Sequence, residues 1–434
     1  LKKSLWMEKG KFKMGAGTLT LEQGGELGEG GELDLTGSTL ELTGPFYNNK
    51  GKGTLTTSAS TLSLKSNVKF EPGNDVTFST FEPNGWGMVL HNDMDNSSAT
   101  THLTLGTNGV DLLLQPNTEA LTSGFVNYYS RENGAIFSTN NHAIGIESHK
   151  VELTINGNLT LKDNATILGY EENISLGNLT LENGNIASIM GTMSLAGGSV
   201  GENGMIYLAY MSNLDLQGDL TVAGALNLGH GSSLSLAGNT LDVSGGELGI
   251  QSPQKLDGIT TDNATTLKIN QWAQAFRTDN GTTTVGNLEM VQDQNPDDNS
   301  SNHGTHFGVD NMSLIVAGNV QIEQGNIELK NGTLTLQQTV SADNASIGVR
   351  NSELILQDGL SFSNGNLYLE NSVFKPKGSV LLADSGYGLN NSTTELQGDT
   401  TFSRNGSVGF TVLDLNGNTP VSYTHLTLPT TPYV

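Results

Sequence analysis

Gly157-Asn158-Leu159-Thr160-Leu161 and, twenty positions later, Gly177-Asn178-Leu179-Thr180-Leu181 are the same five-residue word. Each word places leucine on alternate positions, which is the period of a strand that buries one face only. The pattern returns as Gly218-Asp219-Leu220-Thr221-Val222, Gly238-Asn239-Thr240-Leu241-Asp242-Val243 and Gly318-Asn319-Val320-Gln321-Ile322. It recurs again as Gly332-Thr333-Leu334-Thr335-Leu336 and Gly365-Asn366-Leu367-Tyr368-Leu369. Gly31-Glu32-Leu33-Asp34-Leu35 and Thr39-Leu40-Glu41-Leu42 carry it near the start.

Strands this short cannot hide their leucines alone, so they need partners stacked on both sides. A repeat of roughly 20 residues is the length of one coil of a β-solenoid, in which each strand pairs in parallel with the coils above and below. Gly and Asn between the words supply the positive-φ conformations that turn the chain from face to face, and asparagines at matching positions can stack as amide ladders. Sandwiches and propellers need longer antiparallel strands joined by hairpins. The Asn-Gly pairs here, such as Asn108-Gly109 and Asn203-Gly204, lie between runs too short for that. The expected fold is all-β, a right-handed parallel β-helix with irregular loop insertions.

Composition agrees. The 434 residues include 55 Gly and 10 Pro, and 15% are charged, which gives too many turn formers for long helices and too much apolar content for disorder. The formal charge of −24, from 20 Lys plus Arg against 44 Asp plus Glu, leaves no clustered cations to displace counterions from nucleic acid, so no nucleic-acid partner is expected. Absence of cysteine rules out disulfides and thiolate chemistry. No apolar run approaches the roughly 20 residues of a membrane-spanning helix.

The solenoid is expected over residues 1–420, with insertions at about 83–150 and 251–310 where the rhythm breaks. The first holds Trp86, Tyr128 and Tyr129; the second holds Trp272, Phe276 and the polar run Asp293 to Asn302. The decapeptide Val421-Ser422-Tyr423-Thr424-His425-Leu426-Thr427-Leu428-Pro429-Thr430 resembles, residue for residue, a translated frame of a transposon-based sequencing adapter. Residues 421–434 are therefore expected to be a non-native tail, with natural sequence continuing beyond Pro420. The chain opens on Leu1 rather than Met and shows no signal peptide, so the natural N-terminus is expected to be missing.

The Gly-Asn-Leu-Thr-Leu words and Leu241-Asp242-Val243-Ser244-Gly245-Gly246 resemble the passenger domains of autotransporters and related β-helical surface adhesins of Gram-negative bacteria. The resemblance lies in repeat style and covers almost the whole chain up to Pro420. It implies Sec export, outward threading in an extended state and folding at the cell surface, with attachment through a C-terminal outer-membrane barrel. No segment here shows a barrel's series of alternating strands, and membrane attachment is expected only through a missing C-terminal segment. The resemblance further implies a stalk that contacts host or neighbouring-cell glycans or proteins, with self-association as a further possibility.

Candidate chemistry is sparse. His303-Gly304-Thr305-His306 with Asp297, Asp298 and Asp310 has the residue types of a divalent-metal site, as does His142 with Glu147 and His149. In loops this polar they read as solvated side chains. Polysaccharide lyases and hydrolases also use parallel β-helices, but their chemistry needs converging carboxylates. Glu171-Glu172 and Asp297-Asp298 are adjacent pairs, which in a strand point to opposite faces. Asp384-Ser385-Gly386 approaches a serine-nucleophile motif and reads as a turn, and the Asn-x-Ser/Thr sequons at Asn158, Asn164, Asn173, Asn178 and Asn263 follow from composition. No catalytic, cofactor-binding or metal residue is assigned and no cofactor is expected. The functional expectation is a non-catalytic adhesive stalk, with a carbohydrate-active β-helix as the alternative.

Overall fold

The computed structural model describes residues 4–48, 52–90, 100–107, 111–114, 128–129, 136–137, 142–146, 151–170, 173–229, 231–250, 254–255, 259–270, 276–277, 282–291, 306–323, 325–383, 385–404, 408–422 and 426–427. All regular structure in them is β, built as parallel sheets stacked into a β-solenoid. The chain divides into two compact units, Leu1–Thr240 and Leu241–Val434.

In the first unit the words fall into register as the sequence requires. Asn158, Leu159, Thr160 and Leu161 of the strand Val151–Leu161 lie opposite Asn178, Leu179, Thr180 and Leu181 of Ile174–Leu181. Leu159, Leu161, Leu179 and Leu181 are buried, while the threonines between them face outward. A second face carries strands such as Gly25–Leu27, Phe46–Asn48, Asn185–Ile189 and Met205–Leu208. The corners depend on glycine where the backbones touch: a Cβ on Gly177 would lie 1.9 Å from the carbonyl oxygen of Gly157. The interior is leucine-rich except where Phe46 stacks on Phe70 and Phe78 meets Phe70 edge-on, with ring centroids 5.6 and 6.1 Å apart.

The second unit has three faces. One face holds Val320–Ile322, Val340–Asp343, Leu360–Ser363 and Gly378–Ala383. Another holds Gly325–Lys330, Ala345–Arg350, Asn366–Glu370 and Gly386–Asn390. The third holds Ser313–Val316, Thr333–Leu336, Glu353–Leu356, Val373–Lys375 and Thr393–Glu395. Ser313, Thr333, Glu353, Val373 and Thr393 are successive register partners, so the coil here is twenty residues each time. Leu334, Leu336, Leu354, Leu356 and Phe374 point inward and are fully buried. Burial of each such side chain contributes about 1.5–3 kcal/mol, shared only with the coils directly above and below.

Coil strands also lie inside the two segments where the rhythm of words breaks. Met88–Leu90 pairs with both Val68–Glu71 and His142–Ile146, and Thr101–Leu105 pairs with Val151–Leu161. Tyr128–Tyr129 and Ile136–Phe137 form an antiparallel pair of their own. Thr266–Asn270, Thr282–Val285, Asn287–Val291 and His306–Asp310 all join parallel ladders. At the far end, Val421 and Ser422 continue a ladder opposite Thr401 and Phe402, and Leu426–Thr427 pairs with Val408–Gly409.

Candidate functional site

The most ordered polar constellation sits at one corner of the second unit. Asn311, Asn331, Asn351, Asn371 and Asn391 recur every twenty residues, between the second and third faces, and all have left-handed backbone, with φ of 56°, 52°, 50°, 50° and 49°. Asparagine is the non-glycine residue that tolerates this conformation best. The backbone N–H of the first four is spent on the next coil: Asn311 to the Lys330 carbonyl (3.0 Å), Asn331 to Arg350 (3.2 Å), Asn351 to Glu370 (3.0 Å) and Asn371 to Asn390 (3.0 Å).

The residue after each asparagine turns inward, and from the third coil on it is serine. Gly332 N donates to Ser352 Oγ (3.1 Å), Ser352 N to Ser372 Oγ (3.2 Å) and Ser372 N to Ser392 Oγ (3.1 Å). Each hydroxyl then donates to a carbonyl two residues back, Ser352 to Arg350 (2.6 Å), Ser372 to Glu370 (2.7 Å) and Ser392 to Asn390 (2.9 Å). From Gly332 to Ser392 the buried corner is hydrogen-bonded by a relay that repeats with the coil.

Outside that relay lies a groove of about 550 Å³. Asn311, Asn331, Asn351 and Asn371 form one side, Ser313, Thr333, Glu353 and Val373 the other, and Met312, Gly332 and Ser352 the floor between them. Since these are the same coil positions in four consecutive coils, the groove runs along the stacking direction. Its one charged lining residue, Glu353, is in contact with Lys375, whose ammonium also lies 3.6 Å from Glu395. The hydrogen bond to Glu353, followed by the charges of both carboxylates, raises the Lys375 pKa above its ordinary value.

Elsewhere, several outward charges are likewise paired from coil to coil. Lys11 meets Glu32 (3.1 Å), Lys162 meets Glu182 (2.8 Å), and Arg350 bridges Glu328 (2.6 Å) and Glu370 (3.5 Å). In the first unit His102 is held between two carboxylates, Nδ1 to Asp75 Oδ1 and Nε2 to Glu152 Oε2, both at 3.0 Å. Its backbone N–H also donates to Asp75 (2.9 Å), and Asn173 Nδ2 donates to Glu152 (2.9 Å). The Asp75 hydrogen bond raises the His102 pKa, and the His102 backbone N–H lowers that of Asp75.

The described residues cover only some of those singled out from sequence. Asp297, Asp298, His303, Glu147, His149, Glu171, Glu172 and Asp384 lie outside the described residues. His306 and Asp310 are the two ends of one strand, opposite Asn326 and Lys330, so their backbones are roughly 13 Å apart. His142 opens another strand, opposite Thr166. Ser385 is buried, donates to the Ala383 carbonyl (2.8 Å) and accepts from Gly365 N (3.2 Å), a turn-stabilising role. Asn158 and Asn178 face each other across one rung, Nδ2 to Oδ1 3.4 Å. Among the described residues no group of three or more His, Asp or Glu is arranged to hold a metal ion. The asparagine corner was missed as a site, although Asn331-Gly332, Asn351-Ser352, Asn371-Ser372 and Asn391-Ser392 announce it by their spacing.

No protein family model, curated protein or solved structure matches this chain.

Proposed function

We propose that the chain is part of an exported, surface-displayed β-helical stalk, of the autotransporter-passenger kind, that makes adhesive contacts with host or neighbouring cells and catalyses no reaction. The observation that carries this reading is the regular parallel stack, cross-linked by ion pairs between coils, with an open, amide-lined groove as its recognition surface. Repeating coils build extended surfaces of this sort. A chain without cysteine crosses an envelope unlinked, and a net charge of −24 keeps it soluble outside the cell.

The groove's chemistry favours binding over bond cleavage. Hydrolysis of a glycoside uses two carboxyl groups set about 5–9.5 Å apart across the substrate. Glu353 is the carboxylate among the groove's described lining residues, and it is engaged by Lys375.

The test is attachment. Fluorescent beads coated with the purified chain should bind epithelial or bacterial cells saturably, and free chain should compete. Attachment no greater than that of albumin-coated beads would overturn the adhesive reading. Release of soluble sugars from a polysaccharide, abolished by one carboxylate substitution, would overturn the non-catalytic one and favour a carbohydrate-active enzyme.

A further inference from the structure

We propose that the groove between the asparagine column and the Ser313–Thr333–Glu353–Val373 column binds a neutral, extended polysaccharide chain that lies along the stacking direction, with sugar rings in step with coils. The inference rests on the adhesive reading above and names its ligand.

The first argument is periodicity. Asn311, Asn331, Asn351 and Asn371 present the same amide once per coil, a step of about 4.8 Å, so the four span roughly 14 Å. A ligand that meets one chemical group at a constant step is itself a polymer with a comparable repeat. An extended β-linked glycan advances by a similar distance per ring.

The second is unsatisfied hydrogen-bonding capacity. The amides of Asn311, Asn331 and Asn351 make no side-chain hydrogen bond among the described residues, whereas further along the same column Asn391 Nδ2 donates to Asn371 Oδ1 at 2.7 Å. A free amide offers two donors and two acceptor lone pairs. Vicinal sugar hydroxyls, each both donor and acceptor, match that set. Backbone hydrogen bonds to the next coil fix the asparagine main chain, so only side-chain freedom is lost on binding.

The third argument removes the other polymers. Glu353 shares Lys375 with Glu395 and the groove lining holds no cation, so nothing in that lining attracts a polyphosphate or a uronate chain. A peptide adding as a strand needs unpaired backbone groups. Here Thr333 N already donates to Met312 O (3.0 Å), Glu353 N to Gly332 O (3.0 Å) and Val373 N to Ser352 O (2.9 Å). Recognition therefore falls to the side chains. The floor is backbone at Gly332, where a Cβ would sit 2.1 Å from the Met312 carbonyl oxygen, and Val373 offers an apolar surface to a ring face.

The test is affinity electrophoresis of the full chain through gels containing mixed-linkage β-glucan, xyloglucan, hydroxyethylcellulose or galactomannan. It compares the parent with the double variant Asn331→Gly, Asn351→Gly. Glycine accepts φ near 50°, so this variant removes two amides and keeps the corner; unchanged circular dichroism and melting confirm the fold. Asn364→Gly, at the other corner with φ 56°, is the control. At least one β-linked neutral glycan should retard the parent and the control equally, with the apparent Kd at least tenfold weaker in the double variant. Retardation that survives the double variant would overturn the proposal. So would failure of every neutral glycan to retard a chain whose beads still adhere to cells, an outcome that keeps the adhesive reading and assigns the contact to a protein partner. Absence of both retardation and bead adhesion in the parent chain would remove both readings.

Discussion

Two corners of the molecule solve one problem, the burial of backbone at a sharp turn, in opposite ways. At residues 311–392 the solution is repeated: an asparagine in left-handed conformation, then a small inward residue, and from Ser352 on a hydroxyl that passes a hydrogen bond to the coil beside it. At Asn48 in the first unit a single side chain does this work. Asn48 is fully buried, its Nδ2 donating to the carbonyls of Gly53 (3.1 Å) and Pro72 (2.8 Å) and to Asn74 Oδ1 (3.2 Å), while its Oδ1 accepts from Gly53 N (2.9 Å). One side chain there satisfies groups separated from it by 5, 24 and 26 positions. A distributed corner degrades by a rung; a unique one fails as a whole.

Asn48→Leu should therefore have the largest effect. It removes every bond that Asn48 makes and leaves three backbone groups buried without partners, at about 3–5 kcal/mol. Hydrogen exchange should show lost protection in Phe46–Asn48 and Thr54–Thr56 and little change in the second unit, because coils couple mainly to their neighbours.

Ser372→Ala in the repeated corner should cost less, about 1–3 kcal/mol, since it orphans Ser352 N. The loss should be confined to the coils carrying Glu353–Leu356 and Val373–Lys375. Equal losses from Asn48→Leu and Ser372→Ala, or global unfolding by the serine variant, would erase the contrast between the corners.

Asn351 sharpens it further. Asn351→Ala forces an L side chain into φ of 50° at about 1 kcal/mol, whereas Asn351→Gly should stay within about 0.5 kcal/mol of the parent. Denaturant midpoints of the second unit expressed alone would rank the two, provided that this fragment folds. A glycine variant worse than the alanine variant would mean that the amide, not the backbone, holds the turn.

The smallest effect belongs to His102. Its pKa is raised above 6.5, so its contribution is full below the unfolded value and is lost as pH rises through the folded one. Asp75, lowered from 3.8, contributes above its unfolded value and loses that as pH falls through the folded one. Since His102 is half exposed, the gain is a few tenths of a kcal/mol. Protection of Thr101–Leu105 should weaken as pH rises above 6.5, and His102→Gln should flatten that dependence.

The stack itself was legible because leucine alternation and twenty-residue spacing are local properties. The Gly-Asn-Leu-Thr-Leu words predict the pairing of Asn158 with Asn178 directly, and the corner asparagines announce their own positive φ. What sequence did not disclose depends on coils of unequal length. His102 lies 27 positions from Asp75, and Glu152 sits beyond a longer excursion, so no fixed spacing joins the three. Asn48 looks like one polar residue in an Asn-Asn-Lys turn and is instead part of the core. The groove was hidden differently: its asparagines are periodic, but which side chains stand opposite them follows only from the angle between two faces.

The central claim is parallel stacking at a register of twenty residues, and a chain without cysteine allows a direct measurement. Thr333→Cys with Glu353→Cys places two thiols on register partners of adjacent coils, within the Cα separation that a disulfide spans. Thr333→Cys with Asp343→Cys places them half a coil apart on different faces. Mild oxidation of the folded chain should close the first pair rapidly and leave the second open. Efficient closure of the half-coil pair with no closure of the twenty-residue pair would contradict the stack.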